Sequence, residues 1–332
     1  MNLTFFTSEA GKDSPSSYFV PKGILYDFIK KSWNCHELWY ELWYNERMKY
    51  PKIDLKTIRL QARQFQAENP RLFLVYLLPS MLVILSGFLN PLERINESIL
   101  EQSFLSVFGH VFQAYLFPLL VSFIGTILLT SSVYTTLKLI KNPDTELSVK
   151  NSLALFNEEH FSQTFLTLLL KRFYLFLWSI PSLLGIYFLF YSSFLAKKFV
   201  EIHPEFPNLD LTSIETERFL MTFGLYFLAS ILLMIVGNSL YIPQYYAYSQ
   251  VEFLLCDTLD LGQAKPGQIL KTSRFLMKGY KFQRFVLDLQ LLPWYFLNWI
   301  TFGIASFSLL PYIQINKIIF YRAVLARKRP KA

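Results

Sequence analysis

Charge is scarce in this chain. Only 17% of its 332 residues are Asp, Glu, Lys or Arg, against about 25% in a typical soluble domain. Cysteine is nearly absent, with 2 in all, and glycine is sparse at 12. Disulfide-stapled and collagen-like classes are thereby excluded. No two glycines lie two or four apart, so neither a dinucleotide-binding G-x-G-x-x-G nor a helix-pairing GxxxG exists. No Gly-Lys-Ser/Thr is present for a phosphate loop, and no His-Glu-x-x-His for zinc. The four histidines, His36, His110, His160 and His203, are widely separated. Glu158-Glu159-His160 reads as a solvated loop, because adjacent residues point in different directions on a helix.

What abounds is apolar surface. Hydrophobic residues make up 53% of the chain, including 33 Phe, 20 Tyr and 6 Trp, which excludes disorder. Five stretches lack any charged residue: Leu72–Leu92, Gln102–Leu137, Phe173–Ala196, Phe219–Val251 and Leu289–Asn316. A bilayer core about 30 Å thick needs about 20 apolar helical residues. Open strands cannot cross lipid, so these stretches read as helices. The last one, with its flanks from Arg284 to Arg322, would measure about 57 Å as one helix, too long for a single crossing. A turn near Thr301-Phe302-Gly303 divides it into two.

The fold expected is therefore all-α, a polytopic bundle of about six membrane helices with cytoplasmic amphipathic helices. The spans fall near 72–92, 104–137, 173–196, 219–245, 285–301 and 304–321. They lie in a membrane domain over 53–326, between an aromatic-rich extension at 1–52 and a basic tail at 327–332. With six spans, 28 of the 32 basic residues face one side. The positive-inside rule then puts both termini in the cytoplasm. The net charge of +8 reads as attraction to an anionic cytoplasmic leaflet, not to nucleic acid. The first 20 residues show no basic run followed by an apolar one, so insertion is expected to be directed by the first span. Cys35 and Cys256 share the cytoplasmic side, and no disulfide is expected.

The extension contains Leu38-Trp39-Tyr40 repeated as Leu42-Trp43-Tyr44. On a helix this stacks like residues in one stripe, as an interfacial anchor or as packing on the ends of the spans. Ile53–Arg71 reads as a basic amphipathic helix. Asn142–His160 contains a short surface helix, and Thr212 with Glu215 fits a capping box. Pro266 and Gly279 punctuate a further surface helix at its start and end. Its basic side suggests Lys271, Arg274, Lys278, Lys281 and Arg284 as contacts to the anionic leaflet, each worth about 1 kcal/mol if near it.

The run Ser273-Arg274-Phe275-Leu276-Met277-Lys278-Gly279-Tyr280-Lys281, followed by Phe285-Val286-Leu287-Asp288-Leu289, Trp294, Thr301-Phe302-Gly303-Ile304 and Pro311-Tyr312, resembles the C-terminal signature of the bacterial membrane family called domain of unknown function 975 (DUF975). The likeness is closest over Lys265–Tyr321 and more distant over Ile53–Ser193, and the first 52 residues and Lys197–Arg218 look like additions to the family pattern. Pro293 and Ser306 depart from the small residues or glycine usual in that family. The resemblance implies a multi-pass protein of the bacterial plasma membrane and implies no activity.

Three patterns remain as candidates. Ser122, Thr126 and Thr130 form an i, i+4 polar stripe on the second span, either a pathway lining or hydroxyls bonded to their own backbone. One proline falls in or at the end of each span: Pro79, Pro118, Pro181, Pro243, Pro293 and Pro311. Prolines there kink helices, as in transporters, but are common in spans generally. Asp288 and Lys317 flank the turn at nearly equal distance and are a candidate intramembrane ion pair, with Arg284 the rival partner of Asp288. A lone membrane-embedded Asp does not make an aspartyl protease. No catalytic, cofactor or metal site is expected. The chain reads as a non-enzymatic accessory or scaffold protein acting on partners or lipids, with a small-solute or peptide transporter as the alternative.

Overall fold

A computed structural model describes residues 52–87, 104–203, 214–259 and 265–328. The extension at 1–51, Thr212 of the capping box and the tail from 329 lie outside the described residues. Within them every regular element is helical. The order is α1 (Leu55–Glu68), α2 (Leu72–Val75), α3 (Leu77–Gly87), α4 (Phe104–Lys141), a 3-10 segment (Val149–Phe156), α5 (Glu158–Ile202), α6 (Ile214–Ala247), α7 (Val251–Leu259), α8 (Pro266–Leu276), α9 (Lys281–Ile300) and α10 (Ser306–Lys328). Three apolar helical runs, Leu116–Lys141, Glu159–Ile202 and Ile214–Leu259, are long and apolar enough to cross a membrane.

Local chemistry accounts for the ends. Asp54 caps α1, accepting from the Lys56 amide at 3.0 Å and the Thr57 hydroxyl at 2.6 Å. Those bonds, with the Thr57 hydroxyl foremost, hold its carboxyl below the ordinary range. Pro266 opens α8, where its missing N–H costs nothing. Gly279 takes φ +85° just after it, the left-handed geometry that glycine tolerates. Phe302 at φ +50° and Gly303 at φ +86° reverse the chain between α9 and α10. A Cβ on Gly303 would stand 3.2 Å from the Ile84 Cα, so the turn packs directly on α3.

The first charge-free stretch does not form one helix. It breaks at Tyr76, between α2 and α3. Pro79 supplies the reason: it has no N–H to bond the carbonyl four residues back, that of Val75. That carbonyl instead accepts the hydroxyls of Ser132, at 2.7 Å, and Ser152, at 2.5 Å. The third stretch departs the other way. A span expected at 173–196 is the middle of α5, a helix of 45 residues, or about 67 Å. Lys171 and Arg172 end the apolar run but not the helix, since both are good helix formers.

Two kinds of packing divide the molecule. The core lies around α2, the C-terminal half of α4, α7, α8 and α10, with Tyr76, Leu255, Met277, Tyr280, Phe320 and Tyr321 fully buried. α1 joins it through Ile53 N–H donating to Gln283 Oε1 at 2.9 Å and the Gln66 amide donating to the Ser308 carbonyl at 3.0 Å. α5 and α6 instead pair as a long hairpin whose apolar residues, such as Phe176, Leu225 and Leu232, are exposed. Exposed apolar surface of this extent marks a membrane-facing region.

Candidate functional site

The charge-free stretches end at charges, and tertiary structure brings those charges together. Arg172 precedes the stretch from Phe173; Glu252 follows the one ending at Val251; Asp288 and Lys317 bracket Leu289–Asn316. Lys171 of α5 pairs with Glu252 of α7 at 2.5 Å, both side chains mostly buried. Arg284 pairs with Asp288, one turn on along α9, at 3.4 Å. Lys317 of α10 lies within the electrostatic reach of Arg284, Asp288, Tyr245 and Glu252. The ends of two apolar stretches thus meet in the Lys171–Glu252 pair, and the start of a third is held by the Arg284–Asp288 pair.

The sequence pairing of Asp288 with Lys317 resolves differently. The ion-pair partner of Asp288 is Arg284, the order of charges ranked weaker on an isolated helix. Burial explains the reversal. Arg284 is only 3% exposed, so the nearest carboxylate is its means of neutralisation. Lys317 is partly exposed and places its ammonium 5.9 Å from the centre of the Tyr295 ring. The same burial sets Arg284 apart from its four basic neighbours on the surface helix and the turn after it. Lys271 is exposed, and Arg274, Lys278 and Lys281 are partly exposed.

A second polar cluster lies on α4. Thr126 donates to the Ser122 carbonyl at 2.8 Å, and Thr130 to the Thr126 carbonyl at 2.7 Å. This is the backbone-bonded arrangement. Arg172 adds something the sequence did not reveal: its Nη2 donates to both Ser122 Oγ and Thr126 Oγ1 at 3.0 Å. The guanidinium also lies 5.3 Å from the centre of the Phe123 ring.

Other polar contacts were missed at the sequence level. Asp257 of α7 receives the Lys141 ammonium at 3.0 Å and the Tyr321 hydroxyl at 2.7 Å, joining α4, α7 and α10. The hydroxyls of Ser131, Ser132, Thr135 and Thr136 clamp the α2–α3 break and the 3-10 segment. Thr136 meets the Tyr76 hydroxyl at 2.9 Å, Thr135 donates to the Asn151 carbonyl at 3.1 Å, and Ser131 accepts from the Leu155 amide at 3.1 Å. The signal was available: Thr130-Ser131-Ser132 and Thr135-Thr136 crowd five Ser or Thr hydroxyls into seven residues. Cys256 is buried and donates weakly to the Thr130 carbonyl at 3.6 Å. His160 packs on the Tyr134 ring at 6.3 Å. Among the described residues no three metal-ligating side chains gather.

A groove of about 400 Å³ opens between α3, α4 and the 3-10 segment. Its walls are apolar, including Leu78, Met81, Leu85, Ile124, Leu128 and Phe156.

A family model described as "Protein of unknown function (DUF975)" matches residues 48–328, and the chain belongs to that family. The match runs through Lys197–Arg218, expected from the sequence to be an addition to the family pattern. No curated protein and no solved structure matches the chain.

Proposed function

We propose that this member of the DUF975 family is a multi-pass plasma-membrane protein with a non-enzymatic accessory or scaffold role, acting on partner proteins or lipids. Six spans with both termini in the cytoplasm fit the distribution of 28 of 32 basic residues to one side. The observation that carries the role is how the polar groups are used. Lys171 with Glu252, and Lys141 and Tyr321 with Asp257, bind across helices, while Arg284 and Asp288 pair along α9. The Ser122–Thr126–Thr130 stripe is tied to its own backbone and to Arg172. The groove on α3 and α4 is apolar, suited to lipid or a partner helix more than to a hydrated solute.

A transporter of small solutes or peptides is the second reading. It draws on the prolines inside α4, α5, α6, α9 and α10, where freed backbone groups could line a site. Reconstitution of the full chain in liposomes, with a broad panel of amino acids, peptides, sugars and ions, separates the two. Flux equal to that of protein-free liposomes is expected. Saturable, protein-dependent flux of any solute overturns the scaffold reading. For topology, reporter fusions at Ala332 and at Pro207 are expected on opposite sides; the same side at both overturns the six-span arrangement.

A further inference from the structure

Two basic residues adjoin on α5 and are used differently. Lys171 is paired with Glu252. Arg172 is partly exposed and has no carboxylate within ion-pair distance among the described residues. Its Nη2 donates to two hydroxyls of α4, Ser122 Oγ and Thr126 Oγ1, each at 3.0 Å. Its guanidinium lies 5.3 Å from the centre of the Phe123 ring. These contacts fix the group in place but leave its charge uncompensated. Nε and Nη1 have no partner among the described residues, and neither is sealed from the surface. The Ser122 hydroxyl accepts from Arg172 and donates to no other described group.

Arg172 immediately precedes the charge-free stretch Phe173–Ala196, and Ser122 lies 20 residues on from Gln102, where another such stretch begins. A crossing of about 20 residues from Gln102 therefore ends at Ser122, level with the start of the crossing on α5. α4 changes character at the same point: Ser122 and Ile124 are exposed, whereas Ile127, Leu128 and Thr130 are buried. Lipid phosphates reside at such an end of the hydrocarbon-spanning segments. Gly125 shares a face with Ser122, three residues before it. A Cβ there would have no atom within 4 Å, so the surface beside the two hydroxyls is open. Leu169 and Phe176, one turn to either side of Arg172 on α5, are exposed. So is Phe165, which meets Phe123 edge-on at 5.4 Å. This apolar rim meets acyl chains more readily than water.

We propose that Arg172, Ser122 and the open surface at Gly125 form a binding site for the headgroup phosphate of one acidic phospholipid, between α4 and α5. The free donors of Arg172 and the Ser122 hydroxyl donate to the phosphate oxygens. Gly125 admits the headgroup, and the acyl chains run along the exposed Phe173 and Phe176. One negative charge balances the positive charge that the hydroxyls leave on Arg172. A choline headgroup would bring a second cation beside it, so an acidic lipid is favoured. The site rests on the membrane reading of the chain and not on the accessory role, so solute flux in liposomes bears on the role alone.

The full chain in mild detergent is titrated with dioleoyl phosphatidylglycerol, dioleoyl phosphatidylcholine or inorganic phosphate. Retained lipid is counted by native mass spectrometry, and thermal unfolding is followed in parallel. One phosphatidylglycerol per chain is expected to be retained most tightly and to raise the unfolding temperature. Arg172→Gln should weaken its retention about fivefold to tenfold. Gly125→Leu keeps every charge and replaces a helical glycine with a better helix former. It should weaken retention comparably, while the lipid-free protein unfolds no earlier than wild type. If Arg172→Gln does not fold, Gly125→Leu decides by itself. Lys271→Gln, on the surface helix α8, should leave retention unchanged. Retention equal to wild type in Arg172→Gln or in Gly125→Leu overturns the proposal, as does phosphatidylcholine held as tightly as phosphatidylglycerol. Stabilisation by inorganic phosphate equal to that by phosphatidylglycerol, and lost in Arg172→Gln, would put the free anion at the site and overturn its assignment to a lipid.

Discussion

The α5–α6 hairpin and the core around α7 are held together by different means. In the hairpin the helices meet at glycines and rings. A Cβ on Gly237 would lie 2.4 Å from the Ser182 backbone nitrogen, and one on Gly185 would lie 2.9 Å from that of Met234. Phe199 and Phe219 stack at 3.9 Å, and Tyr191 meets Tyr226 edge-on at 4.8 Å. Around α7 the contacts are ionic and hydroxylic, with Glu252 and Asp257 reaching α5, α4 and α10. Lipid is as apolar as leucine, so helices in it associate through close packing at small residues. A core that is shielded from both lipid and water can use apolar burial and paired charges together.

Breaking the ionic side should cost most. Glu252→Ala strands Lys171, whose side chain is 14% exposed, and is expected to cost about 3–5 kcal/mol in thermal or denaturant unfolding in detergent. Replacing both partners, Lys171→Met with Glu252→Leu, should recover most of that loss. An additive double variant would show the pair to be unimportant.

The hairpin is probed by Gly237→Ala. The added methyl collides with the Ser182 backbone, so the helices must separate, at about 1–3 kcal/mol. Crosslinking between cysteines placed on α5 and α6 should slow in parallel. Unchanged stability would mean that the hairpin is not packed at this point. A smaller loss, about 1 kcal/mol, is expected for Tyr321→Phe, which removes one hydrogen bond to Asp257 and leaves Lys141 in place. Gly224→Ala should move the other way. No atom lies within 4 Å of the new methyl, and replacing an interior helical glycine with alanine gains about 0.5–1 kcal/mol.

The smallest effect expected is at the N-cap of α1. Asp54 has a folded-state carboxyl held below its ordinary value of 3.8, so its ionised form favours the fold. That contribution is present above the ordinary value and is lost as pH falls through the depressed one. Hydrogen exchange at the Lys56 and Thr57 amides should therefore accelerate, relative to the intrinsic rate, as pH drops below that of an ordinary Asp. Asp54→Asn keeps a capping oxygen that does not titrate, and should abolish the acid dependence.

The sequence by itself determined the elements whose causes are local. The helical class follows from charge-free runs that only helices can carry through lipid. The start of α8 at Pro266, the left-handed Gly279 after it and the reversal at Phe302-Gly303 follow from the residues at those positions. Family membership was legible in the same C-terminal stretch. The candidate site was legible only as its ingredients: Asp288, Lys317 and Arg284 were each visible, but not who pairs with whom. Tertiary structure decided that Arg284 is buried and takes Asp288, and that Lys171 meets Glu252 across 81 positions. It also decided that the carbonyl freed by Pro79 is taken by two serines 57 and 77 residues further on. A proline or a turn glycine acts through its own backbone and is readable in place. An ion pair acts through distance and burial, which exist only once helices remote in the chain have packed.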